Sequence, residues 1–499
     1  MFPRARLKSS GTLIPLMISL ALAAPAFRLH VHAVERGEAS TEADTTWGTG
    51  PDVTGRAQRV MAIAVAGRKV FLGGEFTAMV PPGSSWSTPT TTTTSNTATP
   101  GTAEPAAPVK APALPEGSKT RNHLAALDVD TGTLLAWNPD ADGPVHAILV
   151  SPDGRHLYVG GEFDTIGGQA AAKLARIDVA TGKVDPAFRP GLDGRVRALA
   201  LHGKRLYVGG SFRAAAGPAG AEARPKLAAL DAATGALLPW MPPALGPGAF
   251  LTNSGTPTPT APSGDVVAIA VPGDGSRVFV AGSFIDFAGR SGLVVLDSVT
   301  GAALPEQYTI KRPVFDLDVS PADPETVFGA AGGSGGQVYA FSVDQPTQPL
   351  WNTWVDGDSP GVAASATTVY LMGHYDYAGP QKAERRHLAA FDARDGAVEP
   401  WNPVANTHTG AFSAAVGAGH LFVGGEFTRI NGRPQPGFAQ FDLLSSVPTT
   451  TTASSPPSPP TTVTTITGIP TTTTSTTATT SGRPARRPPR PSRRGVRPR

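Results

Sequence analysis

The chain has 499 residues with 57 Gly, 50 Pro and no Cys, which excludes disulfides, thiolate metal centres and cysteine nucleophiles. Its formal charge of +3 belongs to its ends: eight arginines lie between Arg483 and Arg499, and without them and the four basic residues up to Arg28 the chain keeps 30 Lys and Arg against 39 Asp and Glu. The body is acidic, so the net charge is no argument for a nucleic-acid partner.

Residues 1–33 carry Arg4, Arg6 and Lys8, the apolar run "GTLIPLMISLALAAPA" and small residues around "APA" and "VHA". This is the layout of a secretory signal peptide with cleavage after Ala26 or Ala33, and the run is shorter than the roughly 20 apolar residues a bilayer span needs. The mature protein is expected to be exported, either secreted or associated with the cell envelope.

From residue 46 to 445 one unit of about 50 residues recurs. Its first half appears as "VHAILVSPDGRHLYVGGEF", "VRALALHGKRLYVGGSF" and "VVAIAVPGDGSRVFVAGSF". Its second half appears as "HLAALDVDTGTLLAWNP", "KLARIDVATGKVDPAFRP", "KLAALDAATGALLPWMP" and "HLAAFDARDGAVEPWNP". Each half reads as two short strands around a turn. Val196, Ala198 and Ala200 share one strand face while Leu199 and Leu201 share the other, so each sheet is expected to be covered on both faces. Stacked four-stranded sheets of this kind form either a propeller or an open solenoid. Phe71, Tyr158, Tyr207, Phe279, Phe328, Tyr370 and Phe422 occupy one equivalent second-strand position, which predicts an all-β, seven-bladed β-propeller of four-stranded antiparallel blades. The last unit stops before a fourth strand, and "TTWGTGPDVTG" near the start resembles the fourth-strand segment "AWNPDADG". An N-terminal strand is therefore expected to close the ring and protect its edges.

Two low-complexity inserts, 81–119 and 252–264, interrupt the repeat, and residues 446–482 are Thr, Pro and Ser. These segments have too few large apolar side chains to offset the entropy of ordering and are expected to be disordered. The Thr/Pro segment reads as a stalk, and the Arg-rich tail 483–499 as either an electrostatic attachment to anionic wall polymer or lipid headgroups or a solvated end.

The pairing of "YVGGEF" with "LAALDAATGALLPWMP" resembles the delta-sixty repeats of secreted bacterial proteins, and "LAALDxxTGxxxxW" resembles the repeat of pyrroloquinoline-quinone propellers. The resemblance covers about 400 residues. It implies the propeller fold; quinone-dependent dehydrogenases usually have eight blades and often an adjacent cysteine pair, which seven repeats and an absence of cysteine do not match. No cofactor and no metal is expected.

The candidate sites follow the repeat and its breaks. Glu75, Glu162 and Glu426 recur after the glycine pair, where they are either hydrogen-bond partners of a neighbouring loop or a polar rim for a cation or sugar hydroxyls. Asp128, Asp178, Asp231, Asp297, Asp392 and Asp442 end the third run of their units and are expected to be turn devices whose carboxylates accept backbone N–H groups. Trp137, Trp240 and Trp401 are expected to pack between sheets. The sixth unit replaces "YVGGEFDTIGG" with "YLMGHYDYAGP", so His374, Tyr375, Asp376 and Tyr377 are the strongest ligand-binding candidates, against the alternative of a diverged unit whose aromatics fill a gap. No GxSxG, HExxH or P-loop motif is present, and no catalytic residue is assigned. The expected function is a non-catalytic binding or scaffold module of the cell envelope. Its expected partner is a cell-wall glycan, an anionic wall polymer or another envelope protein, with membrane contact only through the signal peptide or basic tail. The alternative is an extracellular carbohydrate-active or quinone-type enzyme with its site at the mouth of the propeller.

Overall fold

A computed structural model describes residues 38–444 apart from 54, 87–111, 218–219, 246–249, 252–256, 259–263, 286–290, 306–307, 309, 311, 334, 346 and 408. The expected signal peptide, stalk and arginine tail, with the greater part of both inserts, lie outside the described residues. The chain divides into units 1–446 and 447–499, and the description concerns the first.

Among the described residues there is no helix, and none is therefore long and apolar enough to cross a membrane. Seven antiparallel sheets follow one another. The first contains Arg59–Ala66, Lys69–Glu75 and Leu124–Asp128, and the second Val145–Val150, His156–Gly161 and Leu174–Asp178. The third contains Val196–His202, Arg205–Gly210 and Leu227–Asp231, and the fourth Val266–Ala270, Arg277–Ile285 and Ser291–Asp297. The fifth contains Val314–Val319, Thr326–Ala331, Gln337–Ser342 and Trp351–Trp354. The sixth contains Asp358–Ala364, Thr368–His374 and Leu388–Asp392, and the seventh Ala411–Gly417, His420–Gly425 and Phe438–Asp442.

Only the fifth sheet has the expected fourth strand. In five others the fourth segment touches the third strand through one bridge, such as Leu230↔Leu237 or Phe391↔Val398. In four of these a proline, Pro186, Pro239, Pro305 or Pro400, follows the bridge and has no N–H to extend a ladder. The chain instead turns an aromatic inward against the second-strand ring. Trp137 meets Phe71 at 5.0 Å, Phe188 meets Tyr158 at 5.7 Å, Trp240 meets Tyr207 at 5.3 Å and Trp401 meets Tyr370 at 5.2 Å between ring centroids. Two indole N–H groups reach the following sheet, Trp240 donating to the Asp297 carbonyl at 3.0 Å and Trp351 of the fifth sheet to that of Ala393 at 3.1 Å, whereas that of Trp137 has no partner among the described residues.

Each buried cluster is shared by two consecutive sheets, as Phe71 and Trp137 of the first are packed with Val145 and Val159 of the second. The seventh and first sheets share a cluster too, joining Phe422 and Phe438 to Val60 and Leu72, with Trp47 packed on it. The N-terminal segment runs beside the last strand: Ala39 bridges Leu443, Ser40 donates its N–H to the Asp442 carbonyl at 2.7 Å and Asp44 to that of Gln440 at 2.8 Å.

The glycine pair of "YVGGEF" has a separate reason at each position. A Cβ on Gly160 would run into Val196 of the next sheet, and one on Gly161 would run into the Pro144 carbonyl oxygen. The second contact arises because the first strand carries a β-bulge between Val145 and Ala147 opposite Gly161 and Gly160. Gly161→Ala is thus overpacked against rigid backbone and is expected to cost about 1–3 kcal/mol or more. An unchanged denaturant midpoint for that variant contradicts the assignment.

Within "DTIGGQAAA", Thr165–Ile166 and Gln169–Ala170 pair as a small hairpin that the four-strand unit does not include. Gly167 and Gly168 turn it at φ 55° and 72°, the primed-turn geometry that suits hairpins. The insert 81–119 lies between the arms of the corresponding hairpin in the first sheet, where Ala78–Val80 pairs with Lys119–Thr120.

Candidate functional site

Every first strand of the seven sheets carries a bulge at the same point, between Val60 and Ala62, Val145 and Ala147, Val196 and Ala198, Val266 and Ala268, Val314 and Asp316, Asp358 and Gly361, and Ala411 and Ser413. A bulge leaves one residue out of the ladder and re-aims its side chain. Those residues include Met61, His146, Arg197, Val267, Phe315 and Phe412, and all of them line one cavity of about 560 Å³. In the first four sheets the bulged residue stands between a Val and an Ala, so there the repeat holds a constant frame and varies the side chain it presents.

Two of the bulge residues are charged or titratable. His146 holds its Nε2 at 2.9 Å from Glu162 Oε1, and Arg195 reaches the same oxygen at 3.1 Å. Burial is the larger influence on His146 and pushes its pKa down, so it is neutral near pH 7 and donates to the carboxylate. Burial also pushes Glu162 up, but the His146 bond and the Arg195 charge outweigh it and hold the carboxyl below its usual value. Arg197 stands 3.7 Å from Asp265, and burial lowers its pKa.

The three candidate glutamates are therefore ion-paired. Arg59 lies 3.5 Å from Glu75 and 3.1 Å from Glu426. Glu426 is 4% exposed and also meets Arg56 at 3.4 Å and the Thr409 hydroxyl. Arg59 thus ties Glu75 in the first sheet to Glu426 beside the seventh.

The altered turn of the sixth unit borders a second cavity of about 310 Å³, lined by Asp356, Asp358, His374, Tyr375, Asp376 and His387 among others. His374 and Asp358 line the larger cavity as well, so the two adjoin. The imidazoles of His374 and His387 stack at 6.2 Å. Tyr375 is 3% exposed and donates its hydroxyl to the Leu371 carbonyl at 2.5 Å. It fills the core position held elsewhere by Phe163 and Phe212 and keeps its ring from a ligand. Tyr377 is exposed and lines neither cavity.

Sequence reading missed two groups here. Asp142, Asp193, Asp356 and Asn406 each accept two N–H groups from the turn after the second strand, Asp356 from Asp376 at 2.8 Å and Tyr377 at 2.9 Å. The recurring Asp-Gly before the first strand was their signal, which makes Asp356 a structural cap as well as part of the cavity wall. The other group is Asp316 and Asp318 in "VFDLDV", where the first strands of the first four sheets carry Ala or Leu. Asp316 accepts the N–H of Val362 and Asp318 that of Ala364, each at 2.9 Å. Their spacing of two matches the period of the neighbouring strand. Desolvation raises both carboxyls to about 7.

Five of the six turn aspartates accept N–H groups of their own turn, as Asp178 Oδ1 accepts from the Ala180 and Thr181 N–H groups and the Thr181 hydroxyl with Gly182 at φ 73°; Asp442 departs from the expectation because "LLSS" follows it in place of the turn.

The family profile described as outer membrane protein assembly factor BamB matches residues 120–402, more than half of the chain. The chain belongs to the BamB family. Its all-β sheets are accordingly those of a PQQ-like β-propeller, a domain that commonly serves as a scaffold or binding module. The BamB-family match runs from the third strand of the first sheet to the fourth segment of the sixth. No curated protein matches the chain by sequence. Among solved structures, the WD40 β-propeller domain of Doa1 is similar at a TM-score of 0.46 and 10% identity, covering 81% of this chain and 99% of that one. The computationally designed Ika8 protein is similar at a TM-score of 0.43 and 11% identity, covering 81% of this chain and 100% of that one.

Proposed function

We propose that this BamB-family chain is an exported, non-catalytic binding or scaffold module of the cell envelope, built as a seven-bladed propeller closed by its N-terminal strand. The shared cluster of the seventh and first sheets and the Arg59 bridge support closure. The observation that carries the function is the common cavity: bulge residues from different sheets converge on it, and they are the positions at which the repeats differ. A wall holding Met61, Phe315 and Phe412 beside His146, Arg197 and Asp358 suits a ligand with both apolar and hydrogen-bonding surface. The family's description as an assembly factor favours another envelope protein as the partner, with a cell-wall glycan or anionic wall polymer next.

The test is capture of envelope proteins, wall fractions and glycans by the full chain and by a chain lacking 446–499, with Arg197→Ala, His374→Ala and Asp376→Ala variants. Capture by both lengths, weakened about tenfold, or 1.4 kcal/mol, by Arg197→Ala or His374→Ala, supports the reading. Capture that depends only on residues 446–499 moves recognition to the tail. Conversion of a glycan that disappears in His374→Ala or Asp376→Ala replaces the module with an enzyme.

A further inference from the structure

The join between the N-terminal segment and the seventh sheet gathers three metal-ligating side chains that are remote in sequence. Asp44 comes from the N-terminal segment, His420 from the second strand of that sheet and Asp442 from its third. His420 Nδ1 lies 3.0 Å from Asp442 Oδ1 and 4.0 Å from Asp44 Oδ2, and one ligand atom from each residue falls within 4.8 Å of the other two. Ligand atoms around a four-coordinate ion at 2.0–2.1 Å are about 3.3 Å apart, so small side-chain rotations suffice.

A comparison between the repeats gives an independent reason to single out Asp442. Asp128, Asp178, Asp231 and Asp297 each spend a carboxylate oxygen on the N–H groups and threonine hydroxyl of their own turn. Asp442 occupies the same place but is followed by "LLSS" rather than that turn, and its carboxylate points to His420 instead. Among the described residues neither Asp44 nor Asp442 forms an ion pair with lysine or arginine; the imidazole is their only cationic partner. Gln440 fixes one side of the group, donating its Nε2 to the Val129 carbonyl at 2.9 Å while standing 3.2 Å from His420 Nδ1.

We propose that Asp44, His420 and Asp442 form a divalent-metal site that latches the N-terminal segment to the last sheet. Two carboxylates and one imidazole suit Zn²⁺ or Mn²⁺ better than a purely oxygen-seeking ion. On binding, the imidazole offers the Nδ1 lone pair, its proton resting on Nε2, and water completes the coordination. The ion stabilises the folded protein because the unfolded chain holds residues 44 and 442 far apart.

The experiment is thermal unfolding of the full chain freed of metal by chelation, then titrated with Zn²⁺, Mn²⁺, Ca²⁺ or Mg²⁺. At about a hundredfold excess over Kd, Zn²⁺ or Mn²⁺ is expected to raise Tm by about 3 °C, with one equivalent bound by calorimetry at 25 °C. Asp44→Asn and His420→Gln are each expected to abolish the shift and the bound equivalent; the Asp44 backbone bond to Gln440 remains in the first, so the segment still docks. No shift in the natural sequence, or an equal shift and stoichiometry in both variants, overturns the site. A join held only by its backbone hydrogen bonds and the direct contacts of His420 with the two carboxylates predicts that first negative result. The probe is the metal alone, so neither outcome bears on capture of envelope ligands.

Discussion

Trp401→Ala is expected to lower global stability by about 3–5 kcal/mol and to release the N-terminal segment before the rest of the fold. The indole is fully buried and contacts Tyr370 at 5.2 Å and Phe441 at 5.5 Å in edge geometry. Its removal leaves a void between the sixth and seventh sheets that rigid strands on both sides cannot close. The Nε1–H also donates to the Ser40 carbonyl at 2.9 Å, while Tyr370 accepts the Ala39 N–H at 2.9 Å. Losing the indole therefore strips one of the ties that hold the segment, at a site where an unpaired carbonyl carries its own cost.

Trp240 separates the two effects. It is equally buried, meets Tyr207 at 5.3 Å and donates to the Asp297 carbonyl, but its neighbours are continuous in sequence. Trp240→Ala should match the loss in denaturant midpoint without the local release. Hydrogen exchange at the Ser40 and Asp44 amides, which donate to Asp442 and Gln440, reads the difference. Equal protection of those amides in the two variants contradicts the coupling.

The parts of this fold set by local chemistry were readable in advance. Alternating apolar residues marked the second and third strands, the Asp-x-x-Thr-Gly turns marked where the third strands end, and the seven second-strand aromatics marked the repeat. What escaped depends on groups that meet only after folding. Val145, His146 and Ala147 look like uninterrupted strand, and the bulge that turns His146 toward the cavity is forced by pairing with Gly160 and Gly161. Glu162 looked open to a ligand because its partner Arg195 lies on the next sheet. Tyr375 looked available because its aromatic neighbours suggested a cluster, yet five of the other six units hold a buried Phe at its position. Asp44 and Asp442 are at opposite ends of the body, and no spacing rule joins them.

Stability is expected to fall as pH rises from about 5 to 8, and Asp316 and Asp318 are expected to supply much of that slope. Folding raises both carboxyls from 3.8 to about 7, because desolvation outweighs the bonds they accept. Between these values the native protein holds protons that the unfolded chain has already released. The stabilisation is therefore complete below about pH 3.8 and is lost as pH rises through 7, a few kcal/mol for the pair by linkage. Glu399, also raised to about 7 by burial, adds to the slope, while His146 and His387, both lowered by burial, oppose it at the acid end. The double variant Asp316→Asn and Asp318→Asn removes the two ionisations but keeps an oxygen at each position to accept the Val362 or Ala364 N–H. Its Tm is expected to match or exceed that of the natural sequence at pH 5, where ionisation of the unfolded chain has already begun to cost the natural protein stability, and to change far less up to pH 8, so that the gap widens as pH rises. Asp316→Ala with Asp318→Ala instead strands both N–H groups, at about 1–3 kcal/mol each where they are buried, and lowers Tm at every pH. If the Asn pair retains the full pH dependence of the natural sequence, the slope belongs to Glu399 and the remaining carboxyls, and the carboxylate bracket between the fifth and sixth sheets is only a hydrogen-bonding device.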